Sequence, residues 1–216
     1  MQQVTFSLAR KSDHFSDFIE SSSNKLAYKY VNDWPNNFGV LPYSRVLIIK
    51  GPKSSGKSFL ADLWAKKTNA LYLKKNHQLT RSILDYHQAF IIDGFDSSWC
   101  EEDVLYYFNT LHENYKYLLI TLSEIPNIKL ADLSSRINSV NKVDISMIDD
   151  ELMKILIFKQ FSNFSIVTNE SVINYLVKVL PREFPKILSA ISHINQQSLE
   201  GKRKITIPFI KEILVL

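Results

Sequence analysis

The sequence predicts an α/β fold, a parallel sheet flanked by helices, followed by a small all-helical domain. Three observations carry that expectation. Only five glycines occur in 216 residues, and two of them, Gly51 and Gly56, bracket one short loop. Flexible residues that are rare and yet clustered mark a backbone with a particular task. The loop lies between an apolar β-branched run at 45–50 and a stretch with apolar residues at helical spacing at 57–67. Strand-like and helix-like stretches then alternate until about residue 148, after which only helical patterns remain.

Taken in order, 45–50 reads as a buried strand. The helix at 57–67 places Phe59, Leu60, Leu63 and Trp64 on one face. A strand is expected at 70–73, a short helix at 78–84 and a strand at 89–92. A helix at 101–115 follows Ser97 and Ser98, then come a strand at 117–121, a short helix at 131–137 and a stretch at 142–145 that fits a last strand. The helical part comprises 149–161, 169–179, 182–199 and 208–214. Pro208 suits a first helical turn, where no amide hydrogen is needed. The expected organisation is a tail at 1–15, an α/β domain at 16–147 and a helical domain at 148–216.

Composition narrows the function classes. Hydrophobic residues make up 45% and charged residues 22%, which is ordinary globular usage and not that of a disordered chain. No apolar run approaches the ~20 residues that span a bilayer, and the first residues lack the basic stretch and apolar core of a signal peptide. Membrane insertion and secretion are therefore not expected, and the cytoplasm is the expected compartment. Cys100 is the single cysteine, so no disulfide framework or cysteine metal site is available. The five histidines show no ligand spacing. Twenty-six Lys and Arg against 22 Asp and Glu give +4, an excess that tolerates acidic partners without requiring them. Lys202, Arg203 and Lys204 form a solvated loop as readily as a basic patch.

The chemistry is concentrated in Gly51, Pro52, Lys53, Ser54, Ser55, Gly56, Lys57 and Ser58, an ungapped match to G-x-x-x-x-G-K-[ST]. Such a loop turns successive amide hydrogens inward as a nest for phosphate oxygens, and the helix that follows adds its positive dipole end. Lys57 is expected to reach the β- and γ-phosphates, Ser58 to ligate Mg²⁺, and Phe59 to lie beside the nucleotide. About 35 residues on, the apolar strand 89–92 ends at Asp93, the acid expected to hold Mg²⁺ through water. Hydrolysing relatives carry Glu immediately after this Asp, but here the residue is Gly94; Asp96 is a partial substitute from a different geometry. Weak intrinsic hydrolysis is the expectation. Strand 117–121 ends at Thr121, followed closely by Ser123, where a hydroxyl either senses the γ-phosphate or is an ordinary satisfied strand-end group.

The ordered set of the 51–58 loop, Asp93, Thr121 and the segment Asp132-Leu-Ser-Ser-Arg136, with a helical domain after it, resembles the AAA+ ATPases of the DnaA replication-initiator group. The ending 203–214 and the leading segment 17–24 with Trp34 and Pro35 resemble, within that group, the Hda proteins, which regulate bacterial replication initiation. The resemblance spans essentially the whole chain. It implies an AAA+ P-loop NTPase core with a helical lid, a leading helix around 17–24, and ADP or ATP with Mg²⁺ as cofactors. It also implies Arg136 as an arginine finger offered to nucleotide on a neighbouring subunit, and Arg182 as a sensor arginine touching bound nucleotide. The first residues, with Gln3, Val4, Phe6 and Leu8, resemble the short motif by which Hda proteins hold the β sliding clamp; a frayed terminus or an edge strand reads equally well.

The function this implies is a nucleotide-bound regulator that docks on the DNA-loaded clamp and promotes ATP hydrolysis by DnaA. DNA association is then indirect, and a homo-oligomer is compatible with the sequence. The 216 residues hold neither the helix-turn-helix domain nor the long N-terminal extension of an initiator, so origin recognition is not the expected role. Two alternatives remain open: an adaptor that binds DnaA and DNA without stimulating hydrolysis, and an independent weak ATPase such as a helicase loader.

Overall fold

The β-branched run at 46–49 forms strand β1 (Val46–Lys50), buried on both sides. Alternation decides where each side chain goes: Val46 and Ile48 enter one core cluster, Leu47 and Ile49 the other. The computed structural model describes residues 18–214. Strands β2 (Leu71–Tyr72), β3 (Ala89–Ile92), β4 (Tyr117–Leu122) and β5 (Asn141–Asp144) complete a five-stranded sheet in the order β2-β3-β4-β1-β5. Every pairing is parallel. All strands therefore end on one side, and β4 lies between the strand that leads into the glycine loop and the strand that ends before Asp93.

Helices cover both faces, as a parallel sheet requires. On one side lie α1 (Lys25–Asn32) and α2 (Lys57–Thr68), which bury Ala27, Val31, Leu60, Leu63 and Trp64. On the other lie α3 (Arg81–Tyr86), α4 (Glu101–Glu113) and α5 (Ala131–Ser139), with Leu84, Val104, Phe108, Leu111, Leu133 and Ile137. Three acids in the first turn of α4 complement its dipole. One of them, Glu101, also accepts the amides of Lys129 and Leu130 and so anchors the approach to α5.

After β5 the chain is helical: α6 (Asp150–Asn163), α7 (Glu170–Val179), α8 (Phe184–Gly201) and α9 (Ile207–Ile213). They enclose a separate core built on Met153, Ile157, Phe161, Leu176, Ile187, Ile191 and Ile210. Arg203 pairs with both carboxylate oxygens of Glu212, at 2.8 and 2.7 Å, and so ties the start of the last segment to α9.

Several expected boundaries shift for identifiable reasons. The segment 17–24 is not helical over its described residues, 18–24, and the helix begins only at Lys25. The amide of Ser21 donates to the Asn24 side chain at 2.9 Å and the hydroxyls of Ser21 and Ser23 bond each other. Short polar side chains here take backbone groups away from a helix and make a turn. The helix expected from 182 starts at Phe184, where Pro185 occupies the first turn and leaves Arg182 in the connection. The short helix expected at 78–84 begins at Arg81 because Thr80 caps it, its hydroxyl accepting from Ile83.

Asp149 caps α6 by accepting the Leu152 amide at 2.7 Å, and it also accepts the Ser22 hydroxyl at 2.8 Å. It thus fastens the segment before α1 to the helical part. Burial alone raises its carboxyl, but these hydrogen bonds outweigh it and hold the group below its ordinary value. A depressed folded value means the stabilisation is present above the ordinary value of 3.8 and is lost as pH falls through the lower one. Asp149→Ala is expected to cost about 1 kcal/mol at neutral pH. In denaturant titrations the gap between variant and parent should narrow as the pH drops below about 4; a gap independent of pH would show that the carboxylate's charge plays no part.

Candidate nucleotide-binding site

The chain leaves β1 at Gly51, where an added Cβ would lie 2.3 Å from the Ile145 carbonyl oxygen, so close approach of two backbones demands glycine. Ser54 (φ 63°) and Gly56 (φ 99°) then adopt left-handed conformations that curl the loop into a nest. Gly56 caps α2 without any side-chain bond, and the positive dipole end of the helix faces the loop. The Ser55 hydroxyl is buried with no hydrogen-bond partner. Lys57 is buried, and its ammonium donates to the carbonyls of Gly51 and Pro52, both at 2.7 Å. Burial pulls the Lys57 ammonium below its ordinary value while Asp93 opposes that shift. An orphaned hydroxyl, a helix N-terminus without a side-chain cap and a desolvated cation in one loop fit a phosphate group. Pro52 and Lys53, by contrast, are exposed on the outer side of the loop.

Across the loop, the Ser58 hydroxyl donates to Asp93 Oδ1 at 3.2 Å. Two hard oxygen donors this close are the ligand type Mg²⁺ takes. Thr121 is fully buried; its hydroxyl donates to the same Asp93 oxygen at 2.5 Å and accepts the Gly94 amide at 2.8 Å. The hydroxyl is thus satisfied, and what it does here is fix the Asp93 carboxylate. This geometry favours the plainer of the two readings of Thr121.

Gly94 has φ 76°, a backbone conformation that a side chain strains even though space is open there. Asp96 accepts both the hydroxyl and the amide of Ser98, and these bonds hold it below the usual carboxylate range. A carboxylate so stabilised is a weak base. The isolated chain is therefore expected to turn over ATP far more slowly than the ~10 s⁻¹ of a median enzyme. Gly94→Glu should not restore turnover and should lower the melting temperature. Multiple-turnover phosphate release at enzyme-like rates from the parent would assign the base role elsewhere.

Beside the loop opens a largely apolar cleft of about 330 Å³. Phe18, Ile19 and Asn24 form one wall, the loop and Phe59 the floor, and Ile148, Leu152 and Phe184 the helical side. Phe18 stacks on Tyr28 at 4.6 Å and faces Phe59 at 5.9 Å. A flat apolar group attached to phosphates in the loop fits this space. Phe18, Ile19, Ile148, Leu152 and Phe184 are apolar and read as core in the sequence, and only the fold brings 18–24, 148–152 and 184 together. Arg182 is not among the residues lining the cleft. Its guanidinium donates to the Ile148 carbonyl at 2.8 Å and pairs with Asp150, which pins it at the rim between Ile148 and Phe184.

Arg136, in the last turn of α5, is half-buried against Tyr43 and Phe108, 6.0 Å from each ring centroid, and 3.4 Å from the Tyr43 hydroxyl. Among the described residues no carboxylate pairs with it. Tyr43 precedes β1 and Gly51 follows it, so a five-residue strand, roughly 17 Å, separates the two ends. The structure therefore does not bring Arg136 to this chain's own phosphate loop. Gln3, Val4, Phe6 and Leu8 lie outside the described residues.

The parallel sheet with β4 inserted beside β1, the phosphate loop and the appended helical unit define an AAA+ P-loop protein with a lid. Domain III of the replication initiation protein DnaA from Thermotoga maritima superposes with a TM-score of 0.70 at 14% identity, over 93% of this chain and 94% of that one. AMPPCP-bound DnaA from Aquifex aeolicus gives a TM-score of 0.69 at 21% identity, over 86% of this chain and 66% of that one. Residues 149–214 match the family described as Hda, lid domain. The helical part of the chain thus matches the Hda lid, and the chain as a whole has the fold of the DnaA AAA+ domain. An uncharacterized protein of Haemophilus influenzae is 27% identical over 188 residues, 78% of this chain and 80% of that protein.

Proposed function

We propose that this protein is a nucleotide-holding regulator of replication initiation that stimulates ATP hydrolysis by DnaA in complex with the DNA-loaded β sliding clamp. The observation that carries the proposal is the Hda-type lid at 149–214. Gly94 and the sequestered Asp96 support it, because a protein that activates a partner does not need its own catalytic base. ADP or ATP is held by residues 51–59, with Mg²⁺ at Ser58 and Asp93. AMPPCP bound to the similarly folded Aquifex DnaA supports an adenine nucleotide. Arg182, at the cleft rim, exchanges its Asp150 partner for bound nucleotide. Arg136 acts on nucleotide held by DnaA, and residues 3–8 hold the clamp, through which DNA association is indirect. Division of labour follows the proposed boundaries: tail 1–15, nucleotide domain 16–147, lid 148–216.

Turnover of DnaA-bound ATP should be measured with this protein, clamp and DNA, each omitted in turn. Acceleration only when all are present supports the proposal. Acceleration without the clamp removes the role of residues 3–8, and no acceleration in any mixture favours the adaptor reading. Among the described residues no helix is long and apolar enough to cross a membrane.

A further inference from the structure

Arg182 stands in the short connection between α7 and α8, and its side chain crosses to the start of α6. Nη1 donates to the Ile148 carbonyl at 2.8 Å, and Nη2 pairs with the Asp150 carboxylate. The arginine is thus bonded to one wall residue of the cleft, Ile148, and lies two positions before another, Phe184. Both terminal nitrogens are in use. A phosphate cannot take the end of this fork without displacing the acceptors already on it.

Asp150 has little else to do in the fold. Capping of α6 falls to Asp149, which accepts the Leu152 amide. Among the described residues Arg182 is the one ion-pair partner of Asp150, and the neighbouring acid Glu183 is taken by Lys186. The pair is also open to solvent, with the Arg182 side chain 38% and the Asp150 side chain 68% exposed. An exposed pair of this kind is weak enough to be exchanged for a better anion. It is not free to break, however. A ligand that needs the arginine released binds more weakly by the fraction of molecules in which the arginine is held.

We propose that Asp150 competes with the nucleotide phosphates for the Arg182 guanidinium and so keeps nucleotide affinity below what the site would otherwise reach. The inference rests on the nucleotide reading above, with Arg182 meeting the nucleotide. It carries an unusual sign: removing a charged residue that contacts a binding arginine should tighten binding. A carboxylate that merely held Arg182 in place for the nucleotide would give the opposite result.

The test is calorimetry of ADP with Mg²⁺ binding to the full chain, for the parent, Asp150→Asn, Arg182→Ala and the double variant. Asp150→Asn is expected to tighten ADP by about two- to fivefold, and Arg182→Ala to weaken it by roughly tenfold. In the Arg182→Ala background, Asp150→Asn should add nothing, because the competition needs both groups. Asp150→Asn should melt close to the parent, since the pair is exposed and the cap of α6 remains. No ADP binding by the parent overturns the nucleotide reading and the competition with it. Parent-like affinity of Arg182→Ala leaves that reading standing and overturns the competition, because the arginine then does not meet the nucleotide. Unchanged or weaker binding by Asp150→Asn, with Arg182→Ala impaired, makes Asp150 a support for the arginine and overturns the competition alone. An equal gain in both backgrounds would be repulsion between carboxylate and phosphates through space, and it too overturns the proposal.

Discussion

Lys57→Ala is expected to weaken ADP binding by about 3 kcal/mol, on the order of a hundredfold, because the charge-assisted contact to the phosphates is lost inside a partly desolvated nest. The lysine is held within the loop by two carbonyls, so its removal leaves Gly51 O and Pro52 O without that donor. Both carbonyls lie at the mouth of a loop whose shape comes from Gly51, Ser54 and Gly56, and the sheet beneath has its own core. The melting temperature without nucleotide should therefore change little, while the rise that ADP produces in the parent should largely disappear. Calorimetry comparing the two proteins checks the affinity directly. Equal ADP affinity would mean that the loop amides and Ser55 suffice, or that nucleotide binds elsewhere.

The phosphate loop was legible because its chemistry is contiguous: eight residues, a strand before and a helix after. Asp93 was legible as the end of the apolar strand β3. The alternation of strands with helices was legible for the same reason, since residues buried on both faces leave continuous apolar runs such as 46–49. The cleft was not. Phe18, Ile148 and Phe184 each look like core residues in their own segments, and they share a wall only because the chain returns to the loop three times. The helix that the resemblance implied around 17–24 is absent over 18–24 because Ser21, Ser23 and Asn24 bond locally, a competition that a family resemblance does not reveal. Thr121 shows a further limit: a strand-end hydroxyl has many partners available in sequence, and only the positions of Asp93 and the Gly94 amide choose between them.

Arg136→Ala is expected to abolish most of the stimulated hydrolysis of DnaA-bound ATP, by on the order of a thousandfold, or about 4 kcal/mol in the barrier. A guanidinium offered across an interface neutralises charge that develops on the γ-phosphate oxygens of the partner, and its removal leaves that charge uncompensated. The position of Arg136 separates this effect from nucleotide binding by the protein itself. A strand's length lies between Tyr43 and Gly51, so ADP affinity should equal that of the parent. The fold should also persist: Arg136 contributes a contact of 3.4 Å to the Tyr43 hydroxyl and proximity to two rings, while Leu133 and Ile137 on the same helix carry the burial. Those aromatic contacts have a further consequence. To reach a partner's phosphate the guanidinium must leave Tyr43 and Phe108, so Tyr43→Ala should leave stimulation largely intact, whereas a structural arginine would need that ring. Lysine at 136 should rescue poorly, since a point charge lacks the planar fork that meets two oxygens at once. Full stimulation by Arg136→Ala would make the arginine a surface charge and support the adaptor reading, and loss of ADP binding or of folding would make it structural.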